Sequence, residues 1–275
     1  MDDARFCAYL PPWVILITVM QKVERLAYLS EMLRQNGKVL IKDLKEKMGV
    51  SEATIRRDIQ VLLKMTRLPV KRIHGGVLLD VDKSGVEPLY EAKLAFMAQE
   101  KARIASKALE YIDNGDTIIL DSGTTTLCLA RLLHNKSGLK VIVTDIKLAE
   151  ELALYPNVET YIIGGRVRAG YYTIGESWAE EQLRQITVEK AFLTADAVDP
   201  EIGITNASMF EVGVKKAILA AGKTVILLAD HSKIGKRAFI KVCDLSEIDI
   251  FITSTGGDSE LLKKIERKVP HLVQV

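Results

Sequence analysis

The chain predicts two folded units of different class: a small α+β unit near the amino end, then a larger α/β unit on a mainly parallel sheet. Three observations carry this. Between residues 20 and 79, helix-period apolar patterns, a glycine turn and a short hairpin follow one another. The charge is split, with thirteen Lys or Arg against seven Asp or Glu from Gln21 to Asp80, a net +6 in a chain whose total is +2. From residue 117 onwards, short apolar runs alternate with helical patterns.

Composition narrows the classes. Of the 275 residues, 48% are hydrophobic and 27% charged, the profile of a globular protein with ample core. No window reaches the ~18 uninterrupted apolar residues of a membrane span, so no membrane partner is expected. Cys7, Cys128 and Cys243 are odd in number and widely spaced. They fit a reducing, cytoplasmic setting and argue against a disulfide framework or a zinc site. A basic small part on an acidic larger part is the asymmetry of a nucleic-acid-binding domain on a sensor, the alternative being an uneven solvated surface.

Residues 1–19 stand apart as an extension. Their apolar run from Trp13 to Met20 follows an acidic leader and Pro11-Pro12, unlike a secretory signal. Two readings are open: translation beginning at Met20, or an extra helix or strand packing on a neighbour.

Residues 20–79 form the first unit. Val23, Leu26, Tyr28, Leu29, Met32 and Leu33 give one helix, from Lys22 to Asn36, with Gly37 at its cap. Ile41, Leu44 and Met48 mark the buried side of a second. Gly49-Val50 turns the chain, and Ser51 caps a third helix whose buried stripe is Ile55, Ile59, Leu62 and Leu63. Arg56, Arg57, Gln60 and Lys64 are left facing outward. This is the shape of a helix-turn-helix, whose second helix enters the DNA major groove by its amino end. Adjacent arginines there meet phosphates and base edges; Asp58 is expected to hold one of the two by a charge-assisted contact. Ser51 and Thr54 complete the candidate face. Val70 to Ile73, Gly75-Gly76 and Val77 to Leu79 then read as a hairpin wing, with Lys71, Arg72 and His74 as phosphate contacts. No second metal ligand lies near His74 in sequence.

SEATIRRDIQVL followed by RIHGG resembles the N-terminal winged helix of the DeoR family of bacterial transcription regulators. The chain departs from that pattern at Lys64–Pro69, where members usually place a glycine before the wing.

Residues 80–88, polar with Gly and Pro, read as a linker. Residues 89–275 form the second unit, opening with a helix from about Tyr90 to Ile112. TIILD (117–121), KVIVTD (140–145), ETYIIGG (159–165), KAFLTAD (190–196), TVILLAD (224–230) and DIFITS (249–254) read as strands, most of them separated by helices such as ESWAEEQLRQI and FEVGVKKAILAAG. Ligands bind such sheets at the carboxyl ends of the strands. There, Asp121 runs into Ser122-Gly123-Thr124-Thr125-Thr126 and a helix start. Glycine, free N–H groups and hydroxyls suit a phosphate; an ordinary capped turn is the rival reading. Asp121, Asp145, Asp196 and Asp230 each close a strand, as sugar-hydroxyl partners or as plain caps. Lys233 offers a phosphate a point charge, with Lys215 and Arg166 as further cations.

EKARIASKALEYIDNGDTIILDSGTTT, IIGGRVR and LLADHSKIGKRAF are similar to successive motifs of the same family. The resemblance implies a sensor domain akin to ribose-5-phosphate isomerase and the CoA-transferase-like folds, binding a phosphorylated sugar or sugar metabolite. Asp121 to Thr126 would form its cradle, completed by Asp230 and Lys233. Where members show Gly-Ala-Asp-Gly, this chain has Thr194-Ala195-Asp196-Ala197, retaining the Asp.

The expectation is therefore a repressor of a sugar-catabolism operon that binds double-stranded operator DNA as a homo-oligomer, dimer or tetramer, and needs no cofactor or metal. A sugar-phosphate isomerase with a DNA-binding head, and a non-specific nucleic-acid-binding protein, are the competing functions.

Overall fold

The structure is a computed structural model describing residues 22, 25, 26, 28, 29, 32, 33, 38–65, 70–79 and 90–275. The expectations for residues 1–19, the Gly37 cap, the 66–69 departure and the 80–88 linker lie outside these. The chain divides into two compact units, with the boundary between residues 80 and 81.

In the first unit the described residues from 22 to 33 are helical, with Leu29 and Leu33 fully buried. Strand β1 (Lys38–Leu40) leads into α1 (Ile41–Met48), which buries Ile41, Leu44 and Met48. Gly49 ends α1 in the left-handed region (φ 64°). Helix α2 (Glu52–Met65) starts where the Thr54 N–H donates to the Ser51 hydroxyl at 3.2 Å. Its Ile55, Ile59 and Leu62 complete a core with Val39 and Val77. Strands β2 (Val70–Ile73) and β3 (Gly76–Leu79) form the wing, and β1 pairs with β3 in a three-stranded antiparallel sheet, order β1-β3-β2. The turn falls on His74-Gly75 rather than on both glycines. Gly76 already belongs to β3, where an added Cβ would stand 2.2 Å from the Val39 carbonyl oxygen.

The second unit opens differently from expectation. The helix anticipated from Tyr90 to Ile112 is two: α3 (Tyr90–Ala95) and α4 (Ala98–Leu109), broken at Met97, whose φ of 53° is left-handed. After them come β4 (Thr117–Leu120), α5 (Thr124–Ala130), β5 (Leu139–Val143), α6 (Ile146–Leu152), β6 (Val158–Ile162), β7 (Arg166–Val167), β8 (Ile174–Gly175), α7 (Ser177–Leu183) and β9 (Val188–Thr194). The chain continues through β10 (Ala197–Asp199), β11 (Gly203–Asn206), α8 (Val212–Ala221), β12 (Gly222–Leu228), β13 (Ile240–Cys243), β14 (Ile250–Thr253), α9 (Ser259–Glu266) and β15 (His271–Gln274). Seven strands form one parallel sheet, order β15-β14-β12-β9-β4-β5-β6.

Residues alternate across that sheet. Ile118, Leu120, Val141, Val143, Phe192, Ile226 and Leu228 pack with α4, α5 and α6 on one face. Ile119, Ile142, Ala191, Leu193, Val225, Leu227 and Phe251 pack with α7, α8 and α9 on the other. Two buried faces explain why each strand reads as a continuous apolar run. The chain leaves β4 toward β5 and β6, then returns to β9 on the other side. The order of the sheet thus reverses between β4 and β9, the place where a parallel sheet opens a crevice at its carboxyl edge. A second sheet, β10-β11-β13, is antiparallel, as is the β7-β8 hairpin.

Candidate functional site

A cavity of about 60 Å³ opens at that reversal. Its walls come from the β4–α5 loop (Ser122, Gly123, Thr124, Thr125), the end of β9 (Thr194, Ala195, Asp196) and the end of β12 (Leu228, Ala229, Asp230, Lys233). Lys93 and Phe96 from α3 and its end, Lys101 from α4, Asn206 from β11, and Glu211 and Lys215 at α8 complete it. At ~10–15 Å³ per water position, it holds about four to six waters, room for a phosphate group.

The hydroxyls differ in what they have left to offer. Thr126 shares its one hydroxyl proton between the carbonyls of Asp121 (2.7 Å) and Gly123 (2.8 Å), so it has no donor left for a ligand. Ser122 donates to Asp145 at 2.6 Å. Thr124 and Thr125 line the cavity, and among the described residues neither hydroxyl has a partner. Helix α5 has only seven residues and so a small dipole; hydroxyls and lysines dominate the cavity's character.

Four lysines reach it, in four electrostatic situations. Lys215 is buried, paired with Asp121 and donating to the Thr194 carbonyl at 3.0 Å. Burial works against its charge, but Asp121 and Glu211 outweigh it and hold the ammonium above the ordinary lysine range. Lys93 pairs with Asp196 at 2.7 Å. Burial would raise the Asp196 carboxyl, yet Lys93 and the Ala207 N–H (2.9 Å) prevail and hold it at about 2. Lys101 is buried on the inner face of α4, and its ammonium donates to the carbonyls of Lys93 and of Phe96 (2.7 Å). With no carboxylate bonded to it, burial prevails and lowers it to about 8, Asp230 nearby opposing and Lys233 assisting. Lys233 makes no ion pair among the described residues and faces the cavity.

Of the other residues singled out in the sequence, only Asp230 lines the cavity. The Asp121 carboxylate is taken up by Lys215 and by the Thr194 N–H (2.9 Å) and hydroxyl (2.8 Å), behind the cavity wall. Asp145 caps α6 through the N–H groups of Lys147 (2.6 Å) and Leu148 (3.2 Å). Burial raises its carboxyl despite these bonds and the one from Ser122. Asp230 lines the cavity while one of its oxygens caps the following turn through the Ser232 N–H at 3.1 Å. Arg166 is exposed, pairs with Glu176 at 2.9 Å, lies over the Phe210 ring and does not line the cavity. Lys93, Lys101, Asn206 and Glu211 were not singled out. A lysine at 101 in register with buried Ile104, Ala105 and Ala108 is the signal that could have found this buried cation.

In the first unit, Arg56, Arg57, Gln60, Arg72 and His74 are exposed. Arg56, Gln60 and Arg72 border one recess floored by Ile41, Ile59, Ile73 and Val77, so α2 and the wing share a face. Ser51 and Thr54 bond each other at 3.0 Å at the start of α2. Lys71 lies in β2. Asp58 does not hold either neighbouring arginine: it is 3% exposed and pairs with Arg25 at 2.6 Å, because the third-helix stripe turns it inward. Arg56 has only a loose contact with Glu52, at 3.7 Å.

A winged, arginine-bearing unit followed by an α/β unit with a cationic, hydroxyl-lined cavity is the build of a transcription regulator carrying a sensor domain. The comparisons agree: the DeoR C terminal sensor domain matches residues 97–255, and the DeoR-like helix-turn-helix domain matches residues 25–83. The chain belongs to the DeoR family. It is 38% identical over 259 residues to a protein of Escherichia coli (strain K12) provisionally named sgc region transcriptional regulator, covering 92% of this chain and 99% of that one. It is 30% identical to the glycerol-3-phosphate regulon repressor of the same organism, covering 85% and 91%. Among solved structures, ribose 5-phosphate isomerase A of Methanocaldococcus jannaschii is similar with a TM-score of 0.38, at 18% identity, over 51% of this chain and 56% of that one. The curated relatives are named regulators and repressors, and this chain, with both domains of the family, is a DNA-binding transcription regulator. Among the described residues no helix is long and apolar enough to cross a membrane, and no group of three or more His, Cys, Asp or Glu is placed to hold a metal.

Proposed function

We propose that the protein represses a sugar-catabolism operon in the cytoplasm and that a phosphorylated sugar in the cavity modulates its hold on operator DNA. One observation carries the effector: Thr124, Thr125 and Lys233 face the cavity with no side-chain partner among the described residues, beside the buried Lys101 ammonium. Unpartnered donors and cations around a small cavity call for an anion with several acceptor oxygens. Asp196 and Asp230 are the groups suited to sugar hydroxyls. Ser51, Thr54, Arg56, Arg57, Gln60, Lys71, Arg72 and His74 form the DNA face of the reading. Two or four such heads in a homo-oligomer would supply a full site, since one recognition helix reads few base pairs.

The test is a thermal-shift panel of sugar phosphates against the matching free sugars, with full-length protein. A phosphorylated compound should raise the melting temperature and change retention of DNA from upstream of the gene, while its free sugar does neither. Equal shifts from both forms would overturn the phosphate assignment.

A further inference from the structure

The geometry points to Lys93 as the residue that couples occupancy of the cavity to the DNA-binding unit: its ion pair with Asp196 latches α3, and a bound anion opens the latch. This rests on the effector reading above.

Helix α3 is the element of the second unit nearest along the chain to the winged unit. Two of the contacts that hold it belong to the cavity itself. Lys93 pairs with Asp196 at 2.7 Å, and the Lys101 ammonium grips the carbonyls of Lys93 and Phe96 at the end of α3. Others lie outside it: the Tyr90 N–H donates to the Gly170 carbonyl at 3.4 Å, the Tyr90 and Tyr172 rings meet edge-on at 5.2 Å, the Lys93 ammonium lies 5.9 Å from the centre of the Tyr171 ring, and Tyr90 and Leu94 pack into the core. Past its end stands Met97, a non-glycine residue at φ 53°, a costly backbone conformation that persists only where the surrounding structure imposes it.

An anion in the cavity draws on the same groups. Its oxygens compete with Asp196 for Lys93 and with the α3 carbonyls for Lys101, while a neighbouring hydroxyl satisfies Asp196. Each bond made to the ligand is one withdrawn from α3. The site and the segment leading to the winged unit therefore share one set of charges, which gives the ligand different affinity for the latched and unlatched states.

The experiment uses the full chain with D-ribose 5-phosphate, glycerol 3-phosphate and inorganic phosphate as probes. In the wild type, a probe that raises the melting temperature should also speed amide hydrogen exchange over residues 90–97 at least fivefold. Lys93→Met should need a higher concentration of that probe for the same thermal shift, and even at saturation its DNA retention should no longer respond; Lys93→Arg should keep the response. If the probe binds but exchange over 90–97 is unchanged, or Lys93→Met responds as the wild type does, the latch is wrong and the effector reading survives. If no phosphorylated probe stabilises the wild type, the effector reading fails and the latch falls with it.

Discussion

Lys215 and Asp121 meet beneath the cavity as an ion pair in which each side chain is only 2% exposed. The pair fastens α8 to the end of β4, and Thr194 on β9 bonds both members. Removing one partner strands the other charge in the interior, at a cost of ~3–5 kcal/mol. Lys215→Met should therefore lower the melting temperature by about 6–20 °C. The double variant with Asp121→Leu should lose less. Melting followed by circular dichroism decides; an unshifted single variant would reassign Lys215 from structural pair to ligand partner.

Lys101 gives a pH dependence whose sign follows from its environment. It loses its proton in the folded chain near pH 8, against 10.5 ordinarily. Between those values the unfolded chain binds more protons, so this residue's contribution to stability rises with pH. Anion binding runs the other way, because it needs the charged form. Affinity for a sugar phosphate should fall above pH 8, approaching ~tenfold per pH unit. The ligand's own phosphate is already dianionic there, its second pKa being ≈ 6. Calorimetric titration from pH 7 to 9.5 reads this; a flat profile would remove Lys101 from the site.

The sequence carried the sheet because its signal is local. TIILD, KVIVTD and TVILLAD are buried on both faces, so each is a continuous apolar run, and each is a strand of the parallel sheet. The short antiparallel strands β10, β11 and β13 carry no such run, and β11 finds β13 only across a long stretch of chain, Ile204 opposite Cys243 and Asn206 opposite Ile240. The cavity lining was legible in its loop, Ser122 to Thr125, and in Lys215 and Lys233, but not in its other two cations. Lys93 and Lys101 look like helix-surface residues until the sheet closes over them, and the Met97 break that aims them has no Gly or Pro to mark it. Similarly, Asp58 sits beside Arg56 and Arg57 in sequence, yet helical geometry sends it inward to Arg25.

On the DNA side, Arg56→Ala and Arg57→Ala should each weaken binding to the operator. A lost bidentate base contact costs ~1–3 kcal/mol, and a lost phosphate contact lowers the salt slope by about one. Gel-shift titrations at several salt concentrations separate the two. Arg25→Ala removes the partner of a buried carboxylate, so it should destabilise the winged unit. If neither Arg56→Ala nor Arg57→Ala changes affinity, α2 is not the reading helix.

The opposite separation is expected in the second unit. Thr124→Val removes a cavity hydroxyl at nearly constant volume, and Lys233→Met removes a cation that makes no ion pair among the described residues. Neither change breaks an internal bond, so melting temperature and DNA binding without ligand should stay near wild type. Stabilisation by a sugar phosphate should drop to a small fraction in both. Undiminished thermal shifts would place the ligand elsewhere.

Gly123 tests how closely the β4–α5 loop sits against the end of β9. Its φ of 167° is ordinary extended backbone, so conformational freedom is not what a side chain here would offend. Space is: an added Cβ would stand 2.7 Å from Cγ2 of Thr194, 3.0 Å from its hydroxyl oxygen and 3.2 Å from its Cβ. Thr194 cannot withdraw freely, because its hydroxyl and N–H hold Asp121. Gly123→Ala should thus cost ~1–3 kcal/mol of stability by overpacking and displace Thr124 and Thr125 from the cavity wall. Thr194→Ser deletes the nearest carbon and retains the hydroxyl that bonds Asp121. In that background the same alanine should cost measurably less, giving a coupling of ~0.5–3 kcal/mol in a double-mutant cycle. Additive effects would mean that Gly123 is required by something other than Thr194.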